Sequence, residues 1–365
     1  MKKSLIALAV AGAFAAPAFA ASSNVDFYGQ FRVSLDHINN FNNSGAGKAL
    51  GGWGMNDETS RIGFKGSEDL GGGLKAIYQW ESGFDPGYNG TISTSSAPGQ
   101  VAAGGLGSER NTFVGLSGGF GTVLAGRHDT PYKLGGSADL FADTLADAQN
   151  TGGRCIICED LRVNNAIAYV SPEVSGFHAA VAIVPGNFQQ SGPASKSLNS
   201  IADAYSMVGA YANGPIKVTA AYENLDHVRG NSTLNPNSGK QSAWKLNGAY
   251  TIGDLTLGAT WEDIQKVGGD TTGADGSKMN NYLLSAAYGM GPITLAAQYG
   301  KRNPNGSNND LTDATLGVVY SLSKRTSTYV GYAHYKVGAN INLTGNALDD
   351  GKAANVWTMG MNHSF

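Results

Sequence analysis

Cys155 and Cys158 are the only cysteines in 365 residues, and they stand three positions apart. A Cys-x-x-Cys pair can serve redox exchange, ligate a metal, or close on itself as a disulfide. The chain has no second such pair, and no histidine lies near this one in sequence. That argues against a zinc site and leaves a local disulfide, with two free thiols as the alternative. The six histidines, His37, His128, His178, His227, His334 and His363, are scattered. His128 and Asp129 are only neighbours, so no catalytic group is assigned. Gly71-Gly72-Gly73 lies between strand-like runs rather than ahead of a helix, which argues against a phosphate loop. No metal or cofactor is expected. The charges are more informative. Asp139, Asp143, Asp147, Glu159 and Asp160 crowd one stretch, with Leu140, Phe141 and Leu145 among them at near-helical spacing. A short helix there would put Asp139 and Asp143 on one face. Such acids could form the edge of a passage for ions, or simply solubilise an exposed loop.

The composition limits what can position these residues. Glycine makes up 52 residues, about twice the usual share, without a Gly-X-Y period. Charged residues are 15%, too few for a charged disordered chain. The net charge of −3 gives no reason to expect a nucleic-acid partner. Hydrophobic residues reach 41%, yet after residue 20 no apolar run approaches the roughly 20 residues of a membrane helix. Residues 1–20 read as a cleaved secretory signal: Lys2 and Lys3, an apolar Leu5–Ala16, then Ala18-Phe19-Ala20. The mature chain, 21–365, would work in an oxidising compartment, where a disulfide persists.

A two-residue period dominates the rest. Val25, Phe27, Gly29, Phe31, Val33 and Leu35 alternate with Asp26, Tyr28, Gln30, Arg32, Ser34 and Asp36. Similar runs begin at Leu74, Ile216, Leu255 and Ile293, each with one apolar and one polar face. Ala210-Tyr211, Ala249-Tyr250, Ala287-Tyr288 and Val319-Tyr320 each precede a short turn. Long polar segments such as 186–200, 228–240 and 268–278 separate the resulting hairpins. A propeller blade would need four short strands per repeat; each repeat here offers two long ones. Short turns alternating with long loops, and strands of about ten residues, describe a transmembrane antiparallel β-barrel with its apolar face to lipid. Sixteen strands are expected, starting near Asn24, Glu58, Leu74, Arg110, Gly121, Arg162, Phe177, Asp203, Ile216, Ser242, Leu255, Asn280, Ile293, Thr312, Thr326 and Ala354. Strand parity then turns Arg32, Arg61, Lys65, Lys75, Arg127 and Arg162 inward, because a charge on the lipid face costs about 2–4 kcal/mol at mid-membrane. Arg110 sits at a strand start, where its direction is open.

Several segments carry a family resemblance: Val25-Asp26-Phe27-Tyr28-Gly29, Ser60–Gly71, Phe113–Gly121, Asn164–Pro172 and the turn Leu322–Thr326. Together they resemble the general porins of Gram-negative bacteria, in particular the Neisseria and Comamonas type. The resemblance implies a homotrimer in the outer membrane and passive diffusion of ions and small hydrophilic solutes. It also implies a third external loop, about Pro131 to Glu159, folded into the lumen with its acids facing a basic wall. Arg32, Arg61 and Arg127 are the expected eyelet cations, separated from the loop acids by water. Ala168 departs from the family, standing where a basic residue is common; Arg162 is the nearest substitute. The competing functions are a channel selective for one solute class and a barrel whose external loops act as an adhesin or enzyme.

Overall fold

The computed structural model describes residues 24–43, 48–86, 108–149, 155–158, 160–185, 201–225, 241–265, 278–305, 310–337, 347–348 and 353–365. The signal segment and Glu159 lie outside them.

The first strand, β1, runs Asn24–Asn43. β2 comes in two segments, Lys48–Asp57 and Arg61–Gly71, pairing with the far and near halves of β1. β3 is Leu74–Gly83, β4 Thr112–Gly118 and β5 Gly121–Asp129. A single helical turn, α1 at Pro131–Leu134, opens the long connection to β6, Arg162–Val170. There follow β7 Phe177–Val184, β8 Ala204–Asn213, β9 Ile216–Leu225, β10 Gln241–Ile252 and β11 Leu255–Gln265. The wall ends with β12 Met279–Met290, β13 Ile293–Arg302, β14 Leu311–Ser321, β15 Thr326–Val337 and β16 Ala353–Ser364. Two-residue bridges at Ser108–Glu109 and Ala347–Leu348 extend β4 and β16. Every neighbour is antiparallel, and β16 pairs back onto β1 from Asn355 to Ser364, closing a sixteen-strand barrel. Closure leaves no unpaired edge, which is what hydrocarbon demands of a spanning sheet.

The burial pattern is inverted relative to a soluble protein. On β9, Val218 is 46% exposed while Thr219 and Glu223 are buried. On β10, Trp244 and Leu246 are exposed and Lys245 is buried. The apolar parity faces out and the polar parity faces in, as a lipid-facing barrel requires. Tyr250, Tyr288 and Tyr320, next to the short turns, stand outward and exposed. Three of those turns are two-residue hairpins whose first residue is glycine at positive φ: Gly214 (56°), Gly253 (59°) and Gly291 (62°). The left-handed geometry matches the twist of the strands it joins.

Two expectations change. β2 begins at Lys48, ten residues earlier than its alternation suggested, because Gly51, Gly52 and Gly54 dilute the pattern. The strand then breaks at residues 58–60. The acidic stretch after β5 is not helical at Asp139 and Asp143; it is a series of turns, such as Thr144 N–H to Phe141 O (3.1 Å) and Asp147 N–H to Thr144 O (3.0 Å). Asp139 spends its carboxylate on the Phe141 and Ala148 amides, which stabilises turns in place of a helix.

Candidate functional site: a charged cluster between the wall and the 131–160 segment

The described parts of the connection from β5 to β6, residues 130–149, 155–158 and 160–161, pack against the polar face of the wall. Thr130 caps α1 by accepting the Lys133 amide. Tyr132 is fully buried, its amide donating to Ser206 Oγ (2.8 Å) and its hydroxyl to Glu262 Oε1 (2.9 Å). At the other foot, the Cys158 amide donates to Glu262 Oε2 (2.8 Å), which also accepts from Asn281 Nδ2 (2.9 Å). One buried carboxylate on β11 thus holds both feet. Lys245, directly opposite Glu262 on β10, pairs with Asp160 and lies 4.3 Å from the Tyr132 ring centre. Further along, the Ala138 amide donates to Thr260 Oγ1 (2.7 Å), the Leu140 amide to Gln298 Oε1 (3.1 Å), and Tyr335 donates its hydroxyl to Leu145 O (3.2 Å). Phe141 is buried against β14 and β15 at two glycines. A Cβ on Gly317 would come within 2.4 Å of its ring, so only glycine leaves room. Cys155 and Cys158 are joined in a disulfide, with Ile156 and Ile157 between them fully buried.

Three of the loop acids have separate tasks. Asp139 and Asp147 are buried and turned into the loop itself, Asp147 accepting from the Asp143 and Gln149 amides. Burial raises both carboxyls above the usual aspartate range, reinforced at Asp139 by Asp147 and at Asp147 by the charge of Asp143. Asp143, at φ 63°, points out to β1. Arg32 donates Nη1 to Asp143 Oδ2 at 2.8 Å and Nη2 to Ala142 O at 3.0 Å. Burial would raise the Asp143 carboxyl, but Arg32, then Arg61, Arg110 and Lys133, outweigh it and hold it below the usual range.

Arg61 Nη1 lies 3.8 Å from Asp143 Oδ2 and its Nε lies 4.0 Å from Glu81 Oε2. Arg110 Nε donates to Glu81 Oε1 (2.6 Å), and Tyr28 donates its hydroxyl to Glu81 Oε2 (3.0 Å). The break in β2 fixes the backbone here: the Arg32 amide donates to Ser60 Oγ (2.9 Å), and the Glu58 amide donates to Arg32 O (3.0 Å). The cluster is three guanidiniums sharing two carboxylates.

Arg32 and Arg61 therefore stand where parity put them, but in direct contact with the loop acid instead of across water from it. Lys65 is also on the inner parity, 5.4 Å from the Tyr28 ring centre. Lys75 lies opposite Asp69 beside the Gly71–Gly73 turn, one residue from the end of β3. Arg162 is committed to Asp129 (3.0 Å) and Asn111 (2.8 Å), and Asp129 also pairs with Lys133 (3.4 Å). Ala168 packs in a small inward apolar patch with Leu124 and Ala182. Arg127 corrects the parity argument. It shares the side of Val123 and Ala125, which are exposed, while Leu124 is buried. Its Nη1 donates to Asn164, itself exposed, near the outer end of β5. A charge there escapes the mid-membrane penalty, which falls to about 0–1 kcal/mol near the interface. Glu81 and Arg110 were not singled out as site residues. The signal for Glu81 was present, since it shares its parity with Lys75 and Gln79; Arg110 stands at a strand start, where alternation sets no direction.

The model of the family described as Gram-negative porin matches residues 7–340. Outer membrane porin protein 32 of Delftia acidovorans is 30% identical over 348 residues, covering 92% of this chain and 90% of its own. The major outer membrane protein P.IB of Neisseria gonorrhoeae is 29% identical over 348 residues, covering 90% of this chain and 92% of its own. Among solved structures, an anion-selective porin from Comamonas acidovorans superposes with a TM-score of 0.69 at 23% identity, covering 94% of this chain and 100% of its own. A closed wall with its polar side inward and a match along nearly the whole chain have the same meaning: this chain belongs to the Gram-negative porins, outer-membrane β-barrels through which solutes diffuse passively.

Proposed function

We propose that the described loop residues 131–149 and 155–158 cross the lumen and that Arg32, Arg61 and Arg110, facing Asp143 and Glu81, form the filter of the pore. The observation that carries this reading is the 2.8 Å pair between Arg32 and Asp143. It ties to β1 a loop whose feet are held on β11, so the segment reaches from one side of the barrel to the other. No bond is made or broken in transport. Solutes run down their gradients, sieved by the width beside the loop and by the charge of its walls. Three cations against two anions favour small anions at the narrowest point, where low-dielectric walls focus the field. Three such barrels would associate through the outward faces of β1 and β16, where Phe27, Phe31, Trp357 and Met359 are exposed. Residues 1–20 would be removed on export.

Planar-bilayer recording of the purified protein tests the reading. Stable open-channel steps and a reversal potential of anion-preferring sign in a salt gradient are expected. A barrel that gives no steps, as an adhesin or enzyme of small bore would, rejects it. Cross-linking in mild detergent should trap a trimer; monomer alone would reject the assembly.

A further inference from the structure

Ser34, Asp36 and Glu58 sit on the wall beside Arg32, at 3%, 1% and 4% exposure. Ser34 Oγ lies 2.6 Å from Asp36 Oδ2 and 2.6 Å from Glu58 Oε1. A serine hydroxyl carries one hydrogen. It can donate to one of these carboxylate oxygens, so the other contact needs a hydrogen from the carboxyl side. Asp36 Oδ2 already accepts from Asn56 Nδ2 at 2.6 Å, which marks it as an acceptor. A proton on Asp36 Oδ1 would point at nothing, because that buried atom has no hydrogen-bond partner. Thr358, opposite Asp36 on β16, is fully buried and makes no hydrogen bond to Asp36 Oδ1. A proton on Glu58 meets an acceptor at once.

We infer that Glu58 carries a proton, donates it to Ser34 Oγ, and so determines the charge of the filter without touching the permeating ion. Ser34 in turn donates to Asp36, which stays ionised. Two carboxylates this close and this buried do not both ionise. The groups facing Glu58 are Asp36 and Arg32 on β1, Asp143 on the loop and the Tyr329 phenol on β15. Arg32 gives both Nη groups to the loop, at Asp143 and Ala142 O, and makes no hydrogen bond to Glu58 through its buried Nε. With Glu58 neutral, Asp36 is the single negative charge behind Arg32; ionised, Glu58 would set a second one there and turn the filter toward cations. Position 58 lies in the break of β2, one hydrogen bond from the Arg32 backbone, so the irregularity that aims Arg32 also holds the proton.

The inference rests on Arg32 lining the filter, and the test separates the two. Glu58→Gln preserves the pattern, since its Nε2–H donates to Ser34 Oγ. Infrared difference spectra of folded wild type and E58Q should show a protonated-carboxyl C=O stretch in the wild type that E58Q lacks. No such band in the wild type, or its persistence in E58Q, overturns the inference. Should E58Q fail to insert, Ser34→Ala removes the acceptor and should move the band to higher frequency; an unmoved band is equally fatal. In bilayers, the wild-type reversal potential should drift toward cation preference as pH rises, and E58Q should hold the acid-limit value; coincident pH profiles overturn the coupling. Arg32→Ala reports on the filter alone: with the infrared band as expected but no change in reversal potential, the proton stands and its role in selectivity falls.

Discussion

From β7 round to β16, each strand pair runs in unbroken antiparallel register. The wall from β1 to β6 is interrupted at 38–41, 58–60, 69–71 and 126–128. The regular side receives the loop: Ser206, Glu262, Asn281, Gln298, Tyr335 and the glycine seat for Phe141 lie there. The irregular side aims charge at the loop: Arg32, Arg61, Glu81 and Arg110 lie there. Anchoring needs rows of groups at fixed intervals, which a plain ladder supplies. On the irregular side the break at 58–60 gives the Arg32 backbone partners outside the ladder, Ser60 Oγ and the Glu58 amide, which fix the cation where parity places it.

The anchored side should show the largest effects. Phe141→Ala empties a buried seat and should cost about 3–5 kcal/mol of loop docking, read as a loss of amide-exchange protection at residues 138–148 and as open-channel noise. An unchanged protection pattern would mean that the loop does not depend on the regular side. The buried pair Asp139 and Asp147 should make the same docking pH-dependent. Both carboxyls are raised in the folded loop, so the docked state holds more protons than the undocked one. Its stability is full below the ordinary aspartate range and is lost as pH climbs through the raised values, by up to ~1.4 kcal/mol per pH unit for one extra proton held. Exchange rates corrected for intrinsic pH dependence should fall on acidification; the opposite slope would refute the sign.

On the irregular side, Arg32→Ala should leave the loop docked and change selectivity. Removing a unit charge about 4 Å from a hydrated ion alters its energy by about 1 kcal/mol, roughly a fivefold change in permeability ratio toward cations. The shift should shrink at high salt, where screening shortens to ~3 Å at 1 M. A permeability ratio equal to wild type at low salt would remove Arg32 from the filter. The smallest effect belongs to Arg127→Ala, which should leave reversal potential unchanged because Arg127 bonds Asn164 on the exposed parity. A cation-ward shift as large as that of Arg32→Ala would restore Arg127 to the lumen.

Legibility in the sequence divides along the same line. The period of two and the Gly-containing turns located the strands of the regular side, because unbroken alternation carries both length and facing. Arg32 and Arg61 could be placed because each lies inside a strand run of clear parity. Arg127 could not, since it lies at the end of β5 beside an irregular pairing, where a charge on the outer parity costs little. Asp139, Asp143 and Asp147 were visible as acids, but their division into two that brace the loop and one that meets the wall depends on turns and on a positive φ at Asp143. Glu81 and Arg110 became site residues only through each other, a pairing 29 residues apart that no local pattern encodes.

The seam between β1 and β16 sets the order of manufacture. Arg32 pairs across it with Asn362, and Phe31 and Phe27 gather around Phe365. A ladder joining residues so distant in sequence forms late, because the intervening chain has to be ordered first. Until β16 arrives, β1 is an open edge that hydrocarbon tolerates poorly, and Arg32 lacks one of the two strands that hold it in line. An unfinished barrel is therefore unsealed and unsieved together. A cell inspecting its outer wall for leaks would need to check a single joint.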